Sequence, residues 1–265
     1  MQASDELVAD STDDLELIRA AASEAAAIAM GFFRTDPEVW MKDGQSPVSE
    51  ADIAVDRFLL DTLTKARPDY GWLSEETLDN VARLARPRTF VVDPIDGTRA
   101  FIDGRDRWCV SVAVVENGRS VAGVLDCPVR GEVFTARSGG GAERNGKAIA
   151  VSMPGEGFDI GGPRRMLDKL PGDLRALVRP ASYVPSLAYR LAMVADGRLS
   201  ASLVKPNAHD WDIAAAELIL REAGGRLADE TGQTPFLAGK DHRLGKLAAG
   251  SGPLLERLTE AMAEM

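Results

Sequence analysis

The sequence is poor in the residues that nucleophilic or histidine-based catalysis would use. Its 265 residues include only two cysteines and two histidines. Cys109 and Cys127 lie in apolar segments without a CxxC pair, so we interpret them as buried thiols of a reducing compartment. The histidines, His209 and His242, form no Ser–His or Cys–His pattern, and a structural role is favoured for His209. The chemistry is therefore expected to reside in other side chains.

Positive charge and long apolar runs are also scarce. The chain has 31 basic against 41 acidic residues and a net charge of -10, which argues against general nucleic-acid binding. There is no apolar run of about 18 residues, no secretory signal pattern and no basic amphipathic helix. We therefore expect a cytoplasmic protein without membrane contact. A phosphorylated small molecule could still bind where metal ions reverse the local field.

Hydrophobic periodicity predicts two subdomains behind a short tail. Residues 1–12 are polar and acidic and are predicted to be a flexible tail. Residues 13–155 are predicted to be an α+β subdomain, with two amphipathic helices followed by antiparallel strands. In residues 156–265 strand-like and helical runs alternate, which predicts a second, α/β subdomain.

Three local signals give this division more detail. The sequence Ser49-Glu50-Ala51-Asp52 is typical of a capping box at the start of the second helix. The segment RTDPEVWMKDGQSP, residues 34–47, has two prolines and a glycine and is predicted to be a loop. Asn117-Gly118 between two apolar runs predicts a β-hairpin.

The stretch FVVDPIDGTRAF, residues 90–101, carries the strongest chemical signal. An apolar strand delivers Asp93 and Asp96 to a turn formed with Pro94 and Gly97, so both carboxylates can point to one place. Two close carboxylates raise each other's pKa, and a divalent cation removes that penalty. Oxygen ligands suit Mg²⁺ or Mn²⁺. For an isolated DxxD, an ordinary strand-ending turn remains the alternative.

Further acids at the ends of predicted elements favour the metal interpretation. Glu75 and Glu76 follow a short apolar segment, and Asp52 and Asp212 each open a helix. Each of them alone would be explained as a helix cap or a solvated acid. Together with the DxxD pair they indicate one convergent acidic site.

Four segments also resemble the inositol monophosphatase family in sequence and in order. They are MKDGQSPVSEAD, SEE, DPIDGT and WDIAAAELILREAGG. Members of this family are Mg²⁺-dependent, lithium-sensitive phosphomonoesterases and include 3′(2′),5′-bisphosphate nucleotidases. The resemblance implies an α/β (α+β) protein with the layered α-β-α-β-α sugar-phosphatase fold, assembled as a homodimer. It covers nearly the whole chain.

The resemblance also implies a metal-binding role for each of five residues. Two metal ions are expected, and a third is an option; Mn²⁺ can substitute for Mg²⁺. The first ion would be held by Glu75, Asp93 and the main-chain carbonyl of Ile95. The second would be held by Asp93, Asp96 and Asp212.

Catalytic and phosphate-binding roles follow from the same resemblance. Asp52 and Thr98 would orient and activate the attacking water, and Glu76 would help to place a third ion or its waters. Gly97 and Thr98 would offer main-chain N–H groups to the phosphate at a helix start. Lys42 would lie in a mobile loop that closes over the metals, either relieving charge there or simply exposed.

The substrate is less narrowly defined by the sequence. Relatives that hydrolyse inositol phosphates carry a glutamate where this chain has Lys205, and Arg190 falls where bisphosphate nucleotidases tend to carry a lysine. Two cations favour a substrate with a second anionic group, such as 3′-phosphoadenosine 5′-phosphate. Inositol 1-phosphate, histidinol phosphate and fructose 1,6-bisphosphate stay open as alternatives. Ser186 is a further expected substrate contact, although Pro185 replaces a usual glycine beside it.

A function of a different class is a non-catalytic regulatory protein on the same fold. The presence of Glu75, Asp93, Asp96, Thr98 and Asp212 argues against it, because clustered charge is costly to keep without a use. The sequence therefore predicts a Mg²⁺-dependent phosphomonoesterase that acts on a small phosphorylated metabolite.

Overall fold

A computed structural model describes residues 2–42, 46–152 and 156–265. The first helix, α1, spans Gln2–Phe32. Residues 2–12, predicted to be a tail that precedes this helix, are therefore helical in the structure. The predicted boundary between the two subdomains falls within or beside residues 153–155, which lie outside the described residues. No helix in the described part of the chain is both long and apolar enough to span a bilayer.

The larger sheet has seven strands that follow one another in chain order. They are β3 (Gly71–Ser74), β4 (Arg88–Asp96), β5 (Cys109–Glu116), β6 (Arg119–Cys127), β7 (Glu132–Arg137), β8 (Ala142–Arg144) and β9 (Lys147–Ala148). Only β3 and β4 run parallel; the other neighbours are antiparallel. Asn117 and Gly118 join β5 to β6 with φ values of 50° and 77°, so the predicted hairpin is confirmed.

Both faces of this sheet are covered by helices because the side chains of β5 alternate. Val110, Val112 and Val114 pack under α1 and α2 (Glu50–Ala66). Cys109 and Val115 point to the opposite face, where α6 (Leu187–Ala195) and α7 (Asp210–Glu222) lie.

A glycine in β6 allows α7 to lie unusually close to the sheet. A Cβ added at Gly123 would be 3.1 Å from the main-chain Cα and carbonyl oxygen of Ala215. The small residues on both sides of this contact fix the depth of α7, and hence the position of Asp212 in its first turn.

The smaller sheet lies beyond α6 and α7 and has five strands in the order β11-β10-β12-β14-β13. These strands are β10 (Phe158–Gly161), β11 (Val178–Pro180), β12 (Ala201–Val204), β13 (Arg226–Asp229) and β14 (Leu247–Gly250). Its outer face is covered by α4 (Arg164–Leu167), α5 (Gly172–Arg175) and α8 (Gly252–Ala263). A short α3 (Thr98–Ile102) follows β4. The layers are thus helix, sheet, helix, sheet, helix, and the predicted α-β-α-β-α architecture is confirmed.

The structure corrects part of the predicted loop before the second helix. Residues 34–38 are irregular, as predicted, and residues 43–45 lie outside the described residues. Within residues 34–47, Val39–Lys42 forms β1, which pairs antiparallel with β2 (Ser46–Ser49). Valine and tryptophan favour extended backbone, and Pro47 is tolerated because this two-stranded ribbon offers it an edge position. Lys42 is therefore a strand residue. The division into two subdomains and the homodimer stay predictions.

Candidate functional site

The end of β4 turns the two aspartates toward one point. The pairing of β4 with β5 is interrupted between Asp93 and Asp96, where the register shifts. The main-chain N–H of Ile95 donates to Oδ1 of Asp93 at 3.1 Å, and the Thr98 hydroxyl lies 3.1 Å from the Ile95 carbonyl oxygen. Gly97 has a φ of 97°, and a Cβ there would come within 3.1 Å of the Ser186 Cβ. The turn is thus tightly packed and requires glycine.

Two further aspartates are fixed by the starts of helices. Asp52 and Asp212 each occupy the third position of their helix, α2 and α7. Oδ2 of Asp52 accepts the main-chain N–H of Ser49 at 2.8 Å, which confirms the predicted capping role, and Oδ2 of Asp212 accepts the N–H of His209 at 2.7 Å. Oδ1 of Asp52 lies 3.2 Å from the Thr98 hydroxyl. In Asp52, therefore, one oxygen caps the helix and the other faces Thr98.

Asp93, Asp96 and Asp212 form the centre of the site. One carboxylate oxygen from each lies within 4.8 Å of the others. Asp93 and Asp96 are buried and Asp212 is half-buried. Glu75 follows β3 and lines the same cavity. The structure therefore brings these four predicted metal-binding side chains together.

The electrostatics of this cluster favour a cation. Burial, followed by repulsion from Asp212 and Glu76, raises the pKa of Glu75 to about 8. Burial and then repulsion from Asp96 raise the pKa of Asp212 to about 7. Burial and the charge of Glu75 hold the pKa of Asp93 well above its ordinary value. Neighbouring carboxylates that resist ionisation form a donor set that fits a hard divalent ion such as Mg²⁺.

Asp96 is held in place by the start of α6. Its Oδ2 accepts bonds from the Ser186 hydroxyl at 2.5 Å and from the main-chain N–H of Ala188 at 2.6 Å, and its Oδ1 accepts the N–H of Leu187 at 3.2 Å. Ser186 is fully buried and also accepts the N–H of Tyr189. The structure thus places Ser186 behind Asp96, away from the cavity wall.

Lys42 on β1 approaches the segment that follows β3. Its ammonium group forms an ion pair with Glu76 and donates to the main-chain carbonyl of Glu75 at 2.9 Å. The Glu76 side chain is almost fully buried, and that burial raises its pKa although Lys42 opposes the shift. The structure therefore favours a charge-relieving role for Lys42 over simple exposure.

Glu75, Asp93, Asp96 and Asp212 line a cavity of about 680 Å³. Gly97 and Thr98 also line it. Arg190 and Lys205 line the same cavity. Lys205 is exposed and opposes the rise in the pKa of Asp212.

Arg190 is a buried cation that is held by neutral groups and interacts with the charge of Asp96 at longer range. Its guanidinium donates to the Ser202 hydroxyl at 2.9 Å and to the main-chain oxygens of Leu203 and Val184 at 3.3 and 3.5 Å. Burial lowers its pKa. Within the described residues, no carboxylate forms an ion pair with it.

Two features of the site were not predicted from the sequence. Asp56, one turn after Asp52 on α2, accepts bonds from the hydroxyls of Ser74 and Thr77, and so fixes the segment that carries Glu75 and Glu76. The signal in the sequence was the spacing of four residues between Asp52 and Asp56, which places both side chains on the same face of the helix. Tyr183 lines the cavity from an irregular segment and had no sequence signal.

The ring of His209, for which a structural role was favoured, packs against its neighbour Trp211. The His209 ring stacks on Trp211 with centroids 4.6 Å apart and an interplanar angle of 8°. His242 lies against the same tryptophan at 4.9 Å. Both His209 and Trp211 also line the cavity, so this aromatic stack forms part of its wall.

The layered fold and the buried oxygen-donor cluster define a class of α/β protein with a site suited to divalent metal ions. Comparison with known proteins gives the family. A profile described as the inositol monophosphatase family matches residues 10–265. The chain therefore belongs to the inositol monophosphatase family, as its motifs predict.

Individual relatives agree with this assignment. An inositol monophosphatase of Dictyostelium discoideum is 34% identical over 231 residues, which cover 82% of each chain. A protein named Nus factor SuhB from Xylella fastidiosa is 34% identical over 80% of each chain. The crystal structure of extragenic suppressor protein suhB from Bartonella henselae has a TM-score of 0.83 and 29% identity, and the match covers 94% of this chain and 98% of that one.

Proposed function

We propose that this protein is a Mg²⁺-dependent phosphatase that hydrolyses a small phosphate monoester by direct attack of water. The observation that carries the proposal is the convergence of Asp93, Asp96 and Asp212 within 4.8 Å, with raised pKa values. With Glu75 and the carbonyl of Ile95, these residues would hold two ions. Bound Mg²⁺ would neutralise phosphoryl charge and make a bound water more acidic.

The chain's own groups supply the remaining parts of the reaction. Asp52 is buried, which raises its pKa, and the Thr98 hydroxyl lies 3.2 Å from its free oxygen. This pair can hold a water and accept its proton. Gly97 and Thr98 place main-chain N–H groups at the start of α3, on the cavity wall, where they can bind phosphate oxygens. Glu76, next to Lys42, would help to place a third ion.

For the substrate we propose a monoester with a second anionic group, such as a 3′(2′),5′-bisphosphate nucleotide. Arg190 and Lys205 support this proposal because both are cations that line the cavity. A buried guanidinium that forms no direct ion pair among the described residues is suited to bind an anion. Inositol 1-phosphate is the alternative, since relatives are named inositol monophosphatase and inositol-1-monophosphatase. Histidinol phosphate and fructose 1,6-bisphosphate are the other two candidate substrates. Ser186 would not contact the substrate, and would instead hold the Asp96 carboxylate in place.

The test is a phosphate-release panel of these four compounds with and without Mg²⁺. We expect turnover that requires the metal and that falls by at least about 100-fold in Asp93→Asn, because charge stabilisation of this kind is worth several kcal/mol. Lys205→Glu should shift the preference toward inositol 1-phosphate. Phosphate release that persists after removal of divalent ions would contradict the mechanism, and an unchanged preference in Lys205→Glu would contradict the substrate proposal alone.

A second candidate function is a regulatory role on the same fold. Relatives named Nus factor SuhB are the observation that favours it. The same Asp93→Asn variant separates the two functions, because a purely regulatory role should survive loss of this carboxylate. Turnover that vanishes while a regulatory phenotype persists would show that the chain has both.

A further inference from the structure

A second cavity lies on the outer side of the protein, between α1 and the last strands of the larger sheet. Its volume is about 620 Å³. Its lining residues come from α1, from β6, β7 and β8, and from the turn after β8, and it is here called the α1 groove. Leu15 and Ala20 contribute to its wall, and Asp126, Val133 and Thr135 to its floor. None of these residues lines the candidate active site.

The unusual group in the α1 groove is the carboxylate of Asp126. It lies on β6 opposite Val133, on the same sheet face as Val124, so it points toward the α1 side. Only 7% of Asp126 is exposed. Its side chain has no hydrogen bond or ion pair with any residue that the structure describes. Its carboxylate lines the cavity, so it is open to a ligand there, and it has exchanged part of its hydration for no protein partner.

Other charged groups of the groove do not compensate Asp126. They are Glu16 and Arg19 from α1, Arg137 from β7 and Glu143 from β8. Burial alone raises the pKa of Asp126 to about 6, and none of these four charges contributes. Arg137 lies opposite Ala122, roughly 13 Å along the sheet from Asp126 at the usual rise per residue. At neutral pH the carboxyl is therefore mostly ionised and lacks a counter-ion.

The surroundings of Asp126 suit an organic cation better than a metal ion. Among the described residues, Asp93, Asp96 and Asp212 are the only group of three or more acids, histidines or cysteines close enough to hold an ion. Asp126 instead shares the groove with the apolar side chains of Leu15 and Val133 and with the hydroxyls of Ser23 and Thr135. An ammonium group on a hydrocarbon stem would satisfy both the charge and the apolar surface.

We propose that the α1 groove is a binding site for a small aliphatic amine, with Asp126 as the counter-ion of its ammonium group. The Thr135 hydroxyl would accept a second hydrogen bond, and the stem would lie along Leu15 and Val133. The site is separate from the proposed phosphatase centre, so it can be tested without an activity assay.

The test uses the full-length protein and hexylamine as the probe, with 1-hexanol as the neutral compound of matching length. Calorimetry or NMR titration should detect binding of hexylamine and much weaker binding of 1-hexanol. Asp126→Asn should weaken the binding of hexylamine by about 10- to 100-fold, which is the effect of losing a charged hydrogen bond. Asp168→Asn is the matched control, since Asp168 is exposed, pairs with Arg164 and lies on the far helical layer.

Two further measurements keep the proposal open to refutation if Asp126→Asn does not fold. Thr135→Val should weaken the binding of hexylamine by a factor of about 3 to 10, which corresponds to the loss of one neutral hydrogen bond. Hexylamine affinity should also fall below about pH 6, where Asp126 takes up a proton. Absence of hexylamine binding up to about 10 mM, equal affinity for 1-hexanol, or unchanged affinity in either groove variant would overturn the proposal.

Discussion

At the scale of single residues, the site depends on carboxylates that serve structure and chemistry at once. Oδ2 of Asp52 and Oδ2 of Asp212 each cap a helix by accepting a main-chain N–H. Asp96 is fixed by three donors at the start of α6. Because the local backbone holds each side chain, the acids stay close together although they repel one another.

Burial of these carboxyls, together with their repulsion, predicts how stability depends on pH. In the metal-free protein the pKa of Glu75 is about 8 and that of Asp212 about 7, whereas both carboxyls titrate near pH 4 when unfolded. The native state therefore holds more protons between about pH 4 and 8, so its stability is greatest at the acid end and is lost as the pH rises through this window.

The expected result is a melting temperature that falls by several degrees between about pH 5 and 8, and that Mg²⁺ restores mainly at pH 8. Differential scanning calorimetry on chelator-treated protein measures both effects. Asp212→Asn is the control, since it removes one of the two groups and should flatten the pH profile. Equal stabilisation by Mg²⁺ at pH 5 and pH 8 would contradict the proposed link between the cluster and the metal.

At the scale of elements, the position of α7 decides where Asp212 lies. Gly123 on β6 and Ala215 on α7 are in close contact, and a Cβ on Gly123 would come 3.1 Å from the helix backbone. Gly123→Ala should therefore push α7 outward, lower the free energy of unfolding by about 1–3 kcal/mol and weaken metal binding.

Urea unfolding and calorimetric Mg²⁺ titration would test this expectation. Gly31→Ala is the matched control, because Gly31 lies in α1 with no atom within 4 Å of the added Cβ. That variant should gain about 0.5–1 kcal/mol from helix propensity and leave metal affinity unchanged. A Gly123→Ala protein with normal stability and metal affinity would show that α7 accommodates the methyl group.

The elements also show what the sequence could and could not predict. The acids at the ends of β3 and β4 and at the starts of α2 and α7 were predictable, since motif order and capping patterns place them. The strand character of Lys42 was missed because local prolines and a glycine indicated a loop. The burial of Ser186 and the support from Asp56 depend on packing between distant segments, which no local pattern encodes.

At the scale of the whole molecule, α6 and α7 lie between the two sheets and belong to one apolar core with both. Ile213 and Leu218 of α7 share this core with Leu125 of the larger sheet and Leu227 of the smaller one. The predicted division between residues 155 and 156 would therefore separate the larger sheet from helices with which it shares an apolar core.

We accordingly expect the protein to unfold in one cooperative transition. Far-ultraviolet circular dichroism and tryptophan fluorescence should give coincident urea curves, and Mg²⁺ should shift both together. Trp72 and Trp108 lie in or near the larger sheet, and Trp211 lies on α7. Fluorescence therefore reports on both predicted subdomains. Two separated transitions would instead support two independently stable subdomains.

The single parallel pair in the larger sheet, β3 with β4, affects when the acidic site forms during refolding. Glu75 and Asp93 become neighbours only after the crossover between these strands has closed, and Asp212 joins them only when α7 docks. Because such non-local contacts form late, the capacity to capture a divalent ion should return with the last phase of refolding, after most helical signal has recovered.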